Sequence, residues 1–112
     1  AYAFVDSLTA LKAAGSAVET VYAIGGGARS TAWVQMIADA TGLPLHLPTD
    51  GDFGGAFGAA RLGFAASENA DSLEVLSPAS IQSTVSPNPD TAGYHADNVA
   101  RYRALYPGTL VT

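Results

Sequence analysis

Three consecutive glycines, Gly25-Gly26-Gly27, follow the run Val21-Tyr22-Ala23-Ile24 and precede Ala28-Arg29-Ser30. Glycine carries no Cβ, so its backbone N–H groups can come close to an anion. A helix opening just afterwards adds its positive N-terminal end. The chemistry such a pattern suits is holding a nucleotide or phosphate. Gly25, Gly27 and Ser30 fit G-x-G-x-x-S, one residue from the dinucleotide fingerprint, and Asp50 lies near where a ribose-binding acid is expected. The third glycine of that fingerprint is missing, however, and no Lys-Ser or Lys-Thr follows as a P-loop requires. The same residues also fit a purely structural strand-to-helix turn. Arg29 could neutralise a phosphate or simply face water.

The remaining polar residues offer less. Asp50 and Asp52 could hold Mg²⁺ through water, or form a turn and cap the helix after it. His46 and His95 are far apart with no third ligand at metal spacing, and read as surface or edge histidines. Tyr94, Tyr102 and Tyr106 would stack bases only beside a basic surface, so they read as helix packing. No Ser-His-Asp set and no acid–base pair of carboxylates emerges. No catalytic residue and no metal ligand is therefore assigned within this chain.

Composition narrows the function classes. The 112 residues are 48% hydrophobic and 13% charged, which suits one modest folded domain rather than a disordered chain. With a net charge of −5, one lysine and four arginines, there is no basic face for nucleic acid. No apolar run reaches the roughly 18 residues of a membrane span, and no basic n-region followed by an apolar core and cleavage site reads as a secretion signal. Zero cysteines leave neither disulfides nor thiolate metal sites. A cytoplasmic protein is expected. Because Phe4, Leu8 and Leu11 are already in helical stride at the start, the chain reads as a piece of a longer polypeptide.

The elements that would position the glycines follow from pattern. A helix is expected over 1–14, closed by Gly15, and a strand over 20–24. Ser30 should cap a helix running to Thr41, with Gly42 ending it and Trp33, Ile37 and Ala40 as its apolar stripe. A second strand is expected over 43–47, with Leu43, Leu45 and Leu47 on one face and His46 on the other. A third helix over 54–66 carries Gly55, Ala59 and Gly63 on one bare ridge, which predicts a close neighbour. Residues 77–90 read as an extended Ser/Pro-rich connector, and a last helix over 91–106 should stop at Pro107-Gly108.

Four blocks in order carry a resemblance: Ile24-Gly25-Gly26-Gly27-Ala28-Arg29-Ser30, Trp33-Val34-Gln35-Met36-Ile37-Ala38-Asp39, Gly42-Leu43-Pro44-Leu45 and Gly58-Ala59-Ala60-Arg61-Leu62-Gly63. Together they resemble the C-terminal domain of the FGGY carbohydrate kinases, and the resemblance resumes in Tyr102-Arg103-Ala104-Leu105-Tyr106-Pro107. It implies an α/β fold, part of an actin-like, ribonuclease-H-like ATPase domain, with 1–112 forming the C-terminal portion of the nucleotide-binding domain. It also implies cofactor binding by Gly25, Gly26, Gly27, Ala28 and Thr31, with Gly26 and Gly27 against the α-phosphate and ribose of ATP. Glycerol kinases place a base-contacting asparagine at the position of Thr31, and this sequence departs from them there. The ridge of the third helix would pack under the glycine turn.

The implied reaction moves the γ-phosphoryl of Mg²⁺·ATP to a sugar hydroxyl. The implied acceptor is a pentulose, D-xylulose giving D-xylulose 5-phosphate, with ribulose, gluconate and glycerol as rivals. The catalytic aspartate and most sugar contacts would belong to the missing N-terminal kinase domain, so this piece alone is expected to be inactive. Its oligomeric state stays open, with a homodimer as one option. Two readings from other classes stand beside this one. One is a non-catalytic α/β module with a structural glycine turn, and the other is part of a dinucleotide-dependent oxidoreductase.

Overall fold

A computed structural model describes residues 1–49, 51, 54–71, 75–76 and 78–109, with 106–109 described by their backbone alone. Helix α1 spans Tyr2–Ala13, and strand β1 spans Val21–Tyr22. A 3₁₀ turn over Gly26–Arg29 leads into helix α2, Thr31–Thr41, and strand β2, Leu45–Pro48. Helix α3 spans Gly54–Ser67, strand β3 Ile81–Val85 and helix α4 Ala92–Thr109.

The organising unit is β1–α2–β2. The two strands lie parallel, Val21 opposite Leu45 and Tyr22 opposite His46, so a crossover must join them, and α2 is that crossover. Its ends form as the sequence predicts. The Ser30 side chain accepts from the Trp33 N–H at 3.3 Å, and Gly42 takes a left-handed conformation at φ +69°. The buried stripe differs from expectation, being Val34 and Ala38 rather than Trp33, Ile37 and Ala40. These two residues, one turn apart, meet Leu45, while Val21, Ala23, Ile37, Leu47 and Val85 close the core at its margins. Trp33 lies further round the helix, against Gly27 and edge-on to Phe4 at 6.5 Å. Size did not decide which side faces the sheet; the sheet's position did.

The connector over 77–90 holds a strand that the sequence reading does not separate from it. β3 pairs antiparallel with β2, giving the sheet order β1-β2-β3. Ile81, Thr84 and Val85 are β-branched, and the prolines stand outside the ladder at 78, 87 and 89. β2 begins at Leu45 rather than 43, because Pro44 has no N–H to give a ladder. A buckle fastens the end of the connector to α2. Gln35 Nε2 donates to Asp39 Oδ1 (2.8 Å) and the Ser86 carbonyl (2.9 Å), and the Asn88 N–H donates to Asp39 Oδ1 (2.7 Å).

α4 returns to α1. Arg103 Nε donates to Asp6 Oδ1 at 2.6 Å and Arg103 Nη2 to Thr9 Oγ1 at 3.2 Å. His95 is buried, with Nδ1 3.2 Å from the Tyr2 hydroxyl, and is not the surface residue expected. His46 is half-buried on the central strand, not an edge, with Nδ1 2.8 Å from Thr84 Oγ1. α4 also runs through Pro107 to Thr109, where a proline in the last turn removes few bonds. On α3, an added Cβ at Gly55, Gly58 or Gly63 would meet nothing within 4 Å. The ridge therefore has no close neighbour among the described residues, and it does not lie under the glycine turn. Contact with that turn comes from the head of α3, where a Cβ at Gly54 would lie 3.5 Å from Ile24 Cδ1.

Candidate functional site

The glycine turn stands at the carboxyl ends of β1 and β2, the edge where open parallel α/β sheets present ligand crevices. Gly25 has φ +82° and ψ −179°, a region that is essentially glycine's own. Its N–H donates to the Gly51 carbonyl at 3.0 Å, tying the end of β1 to the loop after β2. The turn then closes on itself, with Ala28 N–H donating to the Gly25 carbonyl (3.0 Å) and Ser30 N–H to the Gly27 carbonyl (3.2 Å). Gly26 and Gly27 open this 3₁₀ turn, so their N–H groups precede its first internal bond. Among the described residues neither has a backbone acceptor.

The three glycines differ in what the fold asks of them. Gly25 is required by its backbone angle. A Cβ at Gly27 would sit 3.6 Å from the Trp33 indole, an ordinary contact. At Gly26 a Cβ would meet nothing within 4 Å among the described residues, so their packing does not demand a glycine there. An approach of something else to that backbone would.

Three clefts flank the turn, one of them, of about 210 Å³, lined by Gly27 and Ala28 together with Ile24, Trp33 and Phe4. A second of about 340 Å³ is lined by Ala23, Ala28, Arg29, Leu47, Pro48, Gly51 and Gln82. A larger one of about 720 Å³ lies between Ile24, Gly51, the head of α3 and residues 78–80, with Phe57 and Arg61 on its wall. There the Arg61 guanidinium stands 5.1 Å over the Phe57 ring and its Nε donates to the Val75 carbonyl at 2.9 Å.

The structure thus brings Gly25, Gly26, Gly27 and Ala28 together on one turn, and Arg29 joins Ala28 in the 340 Å³ cleft. Thr31 is the exposed first residue of α2 and lines none of the three clefts. Asp50 and Asp52, the candidate acids, lie outside the described residues. Three residues escaped the sequence reading. Gly51 anchors the turn through its carbonyl, Trp33 lies beneath Gly27, and Gln82 comes from the supposed connector. The β-branched run around Gln82 was the signal available for the last.

Residues 1–67 match the family model for the FGGY family of carbohydrate kinases, C-terminal domain. The chain belongs to that family, and its sheet and helices are part of the ribonuclease-H-like, actin-like architecture that the family shares. It is similar to the xylulose kinase of Escherichia coli K12, at 40% identity over 111 residues, 97% of this chain and 23% of that protein. A xylulose kinase of Klebsiella pneumoniae is 36% identical over 96 residues, covering 85% of this chain and 20% of that one. Among solved structures, a xyloylose kinase from Brucella ovis superposes with a TM-score of 0.84 at 42% identity, covering 96% of this chain and 22% of its own. The chain spans about a fifth to a quarter of the length of these relatives. Family membership displaces the dinucleotide-oxidoreductase reading, for which the missing third glycine was already adverse.

Proposed function

We propose that this chain is the ATP-binding portion of a carbohydrate kinase that phosphorylates D-xylulose to D-xylulose 5-phosphate. Gly25, Gly26, Gly27 and Ala28 form the nucleotide contact, and Thr31 borders it at the head of α2. The observation that carries the reading is the pair of N–H groups at Gly26 and Gly27, without a backbone acceptor among the described residues and with none of those residues within Cβ contact of Gly26. Donors fixed in that way can hold a phosphate without reorganising. The choice of a pentulose rests on the xylulose kinases among the relatives. Ribulose is the rival that a D-ribulokinase of Saccharomyces cerevisiae favours, similar over 51% of this chain at 39% identity.

In this reading the chain binds and orients, and the chemistry is shared with the rest of the longer polypeptide. Phosphoryl transfer needs an in-line hydroxyl, a base to take its proton and cations on the phosphate oxygens. The turn fixes the adenosine end, so that the γ-phosphoryl projects towards residues that this chain does not supply. Mg²⁺, when bound with ATP, neutralises charge on the phosphates. Among the described residues no three His, Asp or Glu side chains group to hold it, so the ion is assigned no ligand here.

The test is calorimetric titration of the full-length polypeptide with ADP, before and after Gly26→Val. A branched side chain at Gly26 meets none of the described residues and should leave the fold intact, yet block an approaching phosphate. ADP affinity should fall at least tenfold with an unchanged melting temperature. Unchanged affinity would remove the turn from the nucleotide site.

A further inference from the structure

Gln82 lies beyond the span of the family match, and its position has a cause in the sequence. Pro48 ends β2, and proline has no N–H with which to continue a ladder. Opposite it the register of β3 slips. Leu47 faces Ser83 but Pro48 faces Ile81, so Gln82 is the extra residue of a β-bulge. Regular alternation would put Gln82 on the face away from Ser83 and Val85. Instead it lines the 340 Å³ cleft together with Ala23 and Leu47, which pack towards α2, and with Ala28 and Arg29 of the glycine turn. Bulges next to binding sites re-aim side chains in this manner.

We propose that Gln82 is a nucleotide-contacting residue that hydrogen-bonds the ribose hydroxyls, turned into the site by the bulge opposite Pro48. Among the residues lining the cleft, Ala23, Leu47 and Pro48 are apolar, and Arg29 and Gln82 are the ones with polar side chains. Phosphate oxygens only accept hydrogen bonds, which suits Arg29 and the turn's N–H groups. An amide both donates and accepts, and so does a hydroxyl. A ribose held between them satisfies both ends of the amide, whereas a phosphate would face the amide oxygen without a proton to share. The assignment rests on the reading of the glycine turn as a phosphate contact.

Calorimetric titration of the full-length polypeptide with ADP and with 2′,3′-dideoxy-ADP tests it, on the parent and on Gln82→Ala, Gln82→Leu and Gly26→Val. Gln82→Ala and Gln82→Leu should weaken ADP by roughly three- to tenfold, the worth of one neutral hydrogen bond. Both should leave the dideoxy nucleotide's affinity where it was, so that the parent's preference for ADP disappears. Gln82→Leu keeps bulk at the bulge, so a loss caused by collapse of the cleft would appear in Gln82→Ala alone and overturn the assignment. A preference for ADP that survives both substitutions also overturns it, while a loss of binding in Gly26→Val keeps the turn as the phosphate contact. Undiminished binding in Gly26→Val would take down both.

Discussion

At the scale of single residues, the glycines differ in what folding asks of them: Gly25 is required by its backbone angle, and no described neighbour requires Gly26. Gly25 adopts φ +82° with ψ −179°, where any side chain is strained, whereas Gly26 has no left-handed angle and no neighbour within Cβ contact among the described residues. Gly25→Ala should destabilise the chain by about 1–3 kcal/mol, the usual cost of a residue held in that region. Gly26→Ala should be neutral or stabilising by up to about 1 kcal/mol, because it restricts the unfolded chain more than the folded one. Urea melts of the two variants check this pair of outcomes. Equal losses would mean that Gly26 is structural, and the case for a ligand over its backbone would go with it.

At the scale of elements, the helices were legible and one strand was not. The signals for α2 are local. Ser30 captures the Trp33 N–H three residues on, and Gly42 supplies the left-handed stop. The face of α2 that is buried could not be read in the same way, because it is set by contact with Leu45, which is remote in sequence. β3 is also defined by a non-local partner. Ser- and Pro-rich flanks conceal it until β2 is beside it. The glycine turn was visible as a motif, but its anchor at Gly51 and its neighbour Gln82 depended on loops meeting across the sheet. The buckle at Asp39 fastens the chain just after β3 to α2, since one carboxylate oxygen takes both the Asn88 N–H and Gln35 Nε2. Asp39→Ala should destabilise by about 1–2 kcal/mol and speed amide exchange across 81–88 before it affects α1. Uniform exchange across the whole chain would show that the buckle is not local to β3.

At the scale of the whole molecule, the exposed surface is unusually apolar. Phe57, Leu62 and Phe64 on α3 are 54%, 54% and 57% exposed, and Ala65 is the buried residue of that helix. A helix carrying one charged side chain, Arg61, in 14 residues is normally covered on several sides. The radius of gyration is 17.6 Å, against about 13 Å for a compact domain of this length. Both observations fit a chain that spans 23% of its E. coli relative and whose faces are made to pack on further protein. That short span bears on activity. Sugar phosphorylation requires a base beside the acceptor hydroxyl and charge neutralisation around the γ-phosphoryl. The site described here offers backbone donors, one guanidinium at Arg29 and one amide at Gln82. None of those groups can take the proton of a hydroxyl at neutral pH. The isolated 112-residue chain, given Mg²⁺·ATP and D-xylulose, should therefore form no D-xylulose 5-phosphate above the uncatalysed rate, while the full-length polypeptide forms it readily. Coupled measurement of ADP release and direct detection of the sugar phosphate check this together. Turnover by the isolated chain would instead locate a base within these residues, and Asp50→Asn and Asp52→Asn would be the variants to identify it.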